Sequence, residues 1–263
     1  MSRKPSVYAQ IIEDVFFRYF NNNKDFEFTR DCLTESAKRL NVNPPKNLGD
    51  VIYAFRYRKA LPEKILATQP EGKHWLILGA GDAKYRFRLS SLSVILPRPG
   101  LIVRKIPDST PSIIEKYSLS DEQALLARIR YNRLIDTFLG ITAYSLQNHL
   151  RTKIQNYGQI EIDELYTGID ARGAQYVIPV QAKGGTDMLG VIQTIQDTIY
   201  CESELYKHCI ARPVSAQFLD DGSIAMFELN FDGNDVSIVE EKHYKLVRTS
   251  DLSEEDLRIY ANS

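Results

Sequence analysis

Between Gln159 and Tyr200 the chain reads QIEIDELYTGIDARGAQYVIPVQAKGGTDMLGVIQTIQDTIY. Two acids, Glu161 and Asp163, stand two residues apart. Gln181 and Lys183 repeat that spacing further on. In a strand, side chains two apart share a face. Pairing the two strands would bring a carboxylate, an amide oxygen and an ammonium to one end of a sheet. Those groups suit metal-assisted hydrolysis of a phosphodiester. Hard oxygens hold a Mg2+-type ion. The ion polarises the phosphate, activates water and stabilises the leaving oxygen. A lysine beside it stabilises the charge of the transition state, or positions and deprotonates the water.

The elements that must position these groups are legible nearby. A strand is predicted from Gln159 to Gly168, with a turn at Asp170–Gly173. A second strand follows from Tyr176 to Lys183. Val177, Ile178 and Val180 make it nearly continuous in apolar residues, as a buried central strand should be. Pro179 implies a bulge or one unpaired edge there. A helix comes next, with Leu189, Ile192, Ile195 and Ile199 available to pack on the sheet.

This stretch resembles the core of the PD-(D/E)xK nuclease superfamily, the fold of many restriction endonucleases and DNA-repair nucleases. The resemblance covers roughly residues 118–247, and its motifs are short. In that family an Asp near the end of one strand is followed by acid-x-Lys on the next strand of a hairpin, and then by a helix. The matching residues are Asp163, Gln181 and Lys183. Ile162 stands where the family has proline, and Gln181 where it has the second acid. The resemblance implies that Asp163 ligates Mg2+ (or Mn2+ as a substitute), with Gln181 completing the shell through its amide oxygen. It makes Lys183 the residue acting on the water or the transition state, and Glu161 an auxiliary acid and metal ligand. Gln196 and Tyr200 are similar to a Gln-x-x-x-Tyr element that shapes the site in some branches; an ordinary amphipathic helix packed on the sheet also explains them. Some members add a carboxylate from a preceding helix, and Glu122 stands in that place, although a first-turn Glu is also explained by helix electrostatics.

The first part of the chain reads as a different module. Apolar residues at helical spacing mark Ile11, Ile12, Val15, Phe16 and Phe20 as one face. Thr29 caps a second helix over RDCLTESAKRL. A third, LGDVIYAFRYRKAL, carries Arg56, Arg58 and Lys59 at its far end, interleaved with Tyr53 and Tyr57. Two strands, HWLIL and KYRFRL, flank a Gly79–Asp82 turn. Three helices and a hairpin in this order look like a winged-helix domain, in which the third helix enters the major groove and the wing touches phosphates. Lys84, Arg86 and Arg88 alternate along the second strand, so a basic row on that wing fits phosphate contacts.

Charge divides the chain in the same way. Residues 1–117 hold 20 Lys and Arg against 12 Asp and Glu, a net of +8; the remainder holds 13 against 22, a net of −9. A basic DNA-binding module joined to an acidic metal-dependent one has that pattern. The three cysteines have no metal-ligand spacing, and reduced thiols in the cytoplasm are expected. There is no signal-peptide-like or membrane-length apolar run.

These readings predict an α/β protein. A winged-helix-like DNA-binding domain and connector (1–115) precedes a restriction-endonuclease-like mixed β-sheet flanked by helices (116–263). A single helix is expected over residues 121–140, capped by Ser120. Residues 141–154 are ambiguous between helix and strand. If they form a strand, His149 and Arg151 would face DNA or the site. The implied function is Mg2+-dependent cleavage of double-stranded DNA, most like a type II restriction endonuclease, with no organic cofactor and no membrane. A homodimer follows if both strands of a palindrome are cut. A repair, junction-resolving or modification-dependent nuclease is the second reading. A DNA-binding regulator with a decayed core is the third, kept open by Gln181.

Overall fold

The computed structural model describes residues 5–22, 24–117, 122–154, 157–184 and 187–262. Ser6 caps α1 (Val7–Tyr19) by accepting from the Ala9 N–H, and the helix buries Ile11, Ile12, Val15 and Phe16. This apolar stripe is what an amphipathic helix turns to a core. β1 (Phe26–Thr29), α2 (Arg30–Arg39), α3 (Gly49–Tyr57) and the short α4 (Glu63–Leu66) follow. The hairpin β2 (His74–Gly81) and β3 (Lys84–Ser90) closes the unit. Its strands pair antiparallel in the order β1-β3-β2. Phe16 lies edge-on to both Trp75 and Phe87 at its centre, walled by Leu33, Val51 and Ile77.

The chain continues as β4 (Val94–Ile95), β5 (Val103–Pro107), α5 (Ser112–Tyr117), α6 (Glu122–Tyr131) and α7 (Leu134–Leu139). Next come β6 (Thr142–Ile154), β7 (Gly158–Ile169), β8 (Gln175–Lys183), β9 (Leu189–Gly190) and α8 (Val191–Cys201). The last elements are β10 (Ile210–Ala211), β11 (Val214–Phe218), β12 (Ile224–Phe231), β13 (Val236–Val247) and α9 (Glu254–Ala261). A large mixed sheet runs β5-β13-β12-β11-β8-β7-β6, with β10 also on β8. The β8–β11 and β13–β5 pairs are parallel and the others along that path antiparallel. Thus β5, expected in the connector, is an edge strand of this sheet, and β4 pairs with β9.

Helices cover both faces. α6 and α7 pack Leu125, Ile129, Leu134 and Phe138 on Ile178, Val180, Ala216 and Met226. On the other face, α8 brings Ile192 and Ile195 to Ala225 and Phe227, joined there by Leu76 and Leu78 of β2. Alternation along β12 explains the split, since Ile224 and Met226 serve one face and Ala225 and Phe227 the other. Pro179 sits where the β8 ladder changes partner. Ile210↔Tyr176 and Val214↔Val180 share one register, so Pro213 falls opposite Pro179 in the gap between β10 and β11.

The helix expected over 121–140 is broken in two. Arg133, with φ 49°, separates α6 from α7. The Asn132 side chain accepts from the Ser109 N–H at 2.6 Å and donates to Thr110 Oγ1 at 2.9 Å. Bonds to a distant segment take the place of a further helical turn. The Ser120 cap lies outside the described residues. Residues 142–154 resolve as the strand β6. No described helix is long and apolar enough to cross a membrane.

Gly79 marks where the β2–β3 hairpin meets the second module. A Cβ there would lie 2.6 Å from the Tyr157 carbonyl oxygen and 3.1 Å from its carbon. Backbone yields less readily than a side-chain tip, so Gly79→Ala is expected to lower stability by about 1–3 kcal/mol. Thermal unfolding reads this directly. An unchanged melting temperature would show that the hairpin does not press on Tyr157.

Candidate active site

The β7–β8 ladder ends at Glu164↔Val180. Beyond that pair the strands are held by side chains. Asp163 Oδ2 accepts the Ala182 N–H at 2.8 Å, and Gln181 Nε2 donates to the Glu161 carbonyl oxygen at 3.1 Å. On the other side of β7 the ladder is also interrupted. His149 holds the register position facing Asp163, between Asn148↔Glu164 and Leu150↔Ile162, and has φ 48°. Left-handed backbone is uncommon for a non-glycine residue, and here it falls beside the acid of the motif.

Asp163 is 7 % exposed. Burial raises its carboxyl pKa above the usual range, against the pull of the Ala182 N–H and the Lys183 charge. Lys183 Nζ donates to Glu122 Oε1 at 2.5 Å. Burial lowers the Lys183 pKa, but the Glu122 bond and the charges of Asp163, Glu122 and Asp187 outweigh it, and the net shift is upward. Lys183 is therefore a fixed cation at neutral pH. Glu161 sits apart from Asp163 in solvent, bound to Arg151 at 2.9 Å and 3.6 Å from the His149 ring.

Gln181 does not present its amide oxygen as expected. Two acceptors fix its Nε2: the Glu161 carbonyl and Asp197 Oδ2, the latter at 2.7 Å. Its Oε1 is left facing Gln193 Nε2 at 3.3 Å. A carboxylate at position 181 would meet Asp197 across that same contact, so the amide there has a local electrostatic reason. Asp197 is 2 % exposed. Burial raises its pKa well above the usual range, opposed by the Gln181 bond and reinforced by the Asp163 charge. Its Oδ1 is buried with no hydrogen-bond partner among the described residues.

Gln193 and Asp197 are four apart, one turn along α8, and so face the sheet together. Gln196 and Tyr200, expected to shape the site, lie elsewhere on the helix. Gln196 Oε1 accepts from Tyr57 of α3 at 2.9 Å, and Tyr200 stacks edge-on with Tyr206 at 5.7 Å. The missed residue is Asp197. Its signal was the one charged residue of α8, four after Gln193.

The basic residues expected to touch DNA are dispersed. Arg86 and Arg88 pair across from Leu78 and Leu76, the leucines that pack on α8, so they share the docked face of the hairpin. Arg86 is bound to Glu27, and Arg88 donates to the Gly233 carbonyl and Asn234 Oδ1 at 3.2 Å each. Both line a cavity of about 170 Å3 with Ile195, Ile199 and Glu202. Arg56 lies 5.0 Å from the Tyr57 ring with Nε and Nη2 buried. Arg58 stacks on Tyr53 at 4.8 Å, Lys59 Nζ lies 5.7 Å from the Tyr8 ring, and Lys84 is exposed. β-Alternation aligned the arginines, and along this row the second module takes up Arg88 most, while Arg86 is 43 % exposed in its side chain and Lys84 is exposed.

Among the described residues, no group of three or more His, Cys, Asp or Glu side chains is close enough to hold a metal ion. Mg2+ asks for less, since one or two carboxylates and several waters complete its octahedron. Among the described residues, Asp163 Oδ2 accepts the Ala182 N–H and Asp197 Oδ1 has no hydrogen-bond partner. That donor set fits a hard divalent cation. Comparisons with family models, curated proteins and solved structures return no match for this chain.

Proposed function

We propose that this chain is a Mg2+-dependent DNA endonuclease of the PD-(D/E)xK type, most like a type II restriction enzyme. The observation that carries the reading is the splayed end of the β7–β8 hairpin. There a buried carboxylate, Asp163, stands in the field of a half-buried, acid-anchored lysine, Lys183. Charged residues at a strand end are usually solvated. Burying Asp163 and Asp197 and half-burying Lys183 costs stability, and charged groups held at such a cost cluster at functional sites.

Asp163 and Asp197 are the carboxylates that would hold the ion, with Glu161 at the rim. When bound, Mg2+ supplies Lewis acidity to the phosphate and a water of lowered pKa. The remaining work belongs to this chain's side chains. Lys183, held by Glu122, places a fixed positive charge where negative charge grows on the phosphate. Its raised pKa favours that role over deprotonating the water. Gln181 orients Asp197 and ties β8 to the Glu161 carbonyl.

The element order α1-β1-α2-α3-α4-β2-β3, with sheet order β1-β3-β2, supports reading the first module as winged-helix-like. Its docking through Tyr57, Leu76 and Leu78 favours a fixed clamp beside the catalytic sheet over a free reading head. Incubation with duplex DNA, with and without Mg2+, beside Asp163→Ala tests the proposal. Metal-dependent fragments that vanish in the variant are expected. Retained binding with no cleavage of plain, branched or modified DNA would replace the nuclease with the regulator reading.

A further inference from the structure

β6 and β7 continue as a two-stranded arm beyond the end of β8. Their pairing runs on through Leu150↔Ile162 to Ile154↔Gly158, whereas β7–β8 pairing stops at Glu164. Along this arm the two faces are sharply different. Leu150, Ile154, Ile160 and Ile162 turn inward, packed with Cys201, Tyr200 and Tyr206. His149, Arg151, Lys153, Gln159 and Glu161 are exposed. Alternation puts these five on the opposite face, in a line that ends at Asp163.

We infer that this outward face is the surface that holds the backbone of duplex DNA and feeds a phosphate to Asp163 and Lys183. The inference rests on the nuclease reading above. A two-stranded ribbon is one of the shapes a DNA groove admits. The face carries two full cations and a titratable ring against one carboxylate. Arg151 and Lys153 are 65 % and 69 % exposed in their side chains, and their partners are Glu161 and the 89 % exposed Asp82. Ion pairs this wet are worth little, so a phosphate can take over either cation. Arg88, in contrast, is 18 % exposed in its side chain and is held by Asp25, Asn234 and the Gly233 carbonyl. The Lys153–Asp82 contact also sets the tip of the β2–β3 hairpin beside the arm.

The test is the affinity of the full chain for labelled duplex DNA without Mg2+, measured by fluorescence anisotropy across a salt series. Arg151→Gln combined with Lys153→Gln is expected to weaken binding more than tenfold. It should also flatten the slope of log affinity against log salt by about 2, the loss of two phosphate contacts. Exchanging the same residues as Arg151→Lys with Lys153→Arg should restore the slope, which a folding defect would not allow. An unchanged slope in the glutamine variant would overturn the inference, as would a wild-type chain that prefers single strands or binds no duplex. Slope loss in a wild-type chain that never cleaves would keep the arm and discard the nuclease.

Discussion

Lys183→Met is expected to reduce Mg2+-dependent DNA cleavage by at least about a hundredfold, the cost of removing one preorganised charge from a developing oxyanion. Methionine keeps most of the apolar stem and deletes only the ammonium. Glu122, the partner left behind, is 35 % exposed in its side chain and can be hydrated. The fold should therefore survive, and single-turnover cleavage of a plasmid isolates the chemical step. The pH profile separates the roles of the two groups. Lys183 titrates above its ordinary value, so its charge persists through the neutral range. Asp163 titrates above its ordinary value in the metal-free chain, so Mg2+ affinity should fall on acidification at a higher pH than an exposed aspartate would give. A wild-type rate for Lys183→Met would reduce the lysine to a strut that anchors α6.

Asp197→Asn is expected to abolish metal-dependent cleavage and, at neutral pH, to make the protein more stable. The folded chain holds a proton on Asp197 at a pH where the unfolded chain has released it. With more protons bound in the native state, stability falls as pH rises from about 3.9, the ordinary aspartate value, towards the raised one. Asparagine removes that loss and still offers Gln181 an oxygen. Each kcal/mol recovered should raise the melting temperature by about 2–4 °C. The gain should shrink as pH is lowered towards the ordinary aspartate value. Mg2+ should raise the melting temperature of the wild type and not of the variant, a readout independent of turnover. A variant that melts lower and still gains stability from Mg2+ would remove Asp197 from the metal site and make it a structural acceptor for Gln181.

The central hairpin was legible because its signals are local. A Gly- and Asp-rich turn, an apolar run interrupted by Pro179, and charged residues two apart specify strand, turn and strand without reference to the rest of the chain. The same locality does not say what Glu161 meets. Period-2 alternation places it with Asp163, but the strands splay at that point. The Asp163 side chain bonds to the Ala182 N–H, while Glu161 stays in solvent with Arg151.

What the sequence by itself determined is the succession of β7, turn, β8 and α8 and the residues at the open end of that hairpin: Asp163, Gln181 and Lys183 on adjoining strands, with α8 behind them. Tertiary structure alone decided what those residues meet. The rotation of α8 on the sheet selected Gln193 and Asp197 over Gln196 and Tyr200, because several turns of an apolar helix can pack and only the fit against β7 and β8 chooses among them. The docking of the first module decided how far each arginine of that row is covered, leaving Arg88 18 % and Arg86 43 % exposed in the side chain. Both faces of that hairpin obey the same alternation, and the partner surface, distant in sequence, determines which one is covered. Long-range bonds from Asn132 broke one helix into two, and parallel pairing with β13 drew β5 into the large sheet. Each of these outcomes depends on contacts between residues far apart in the chain, where local periodicity carries no information.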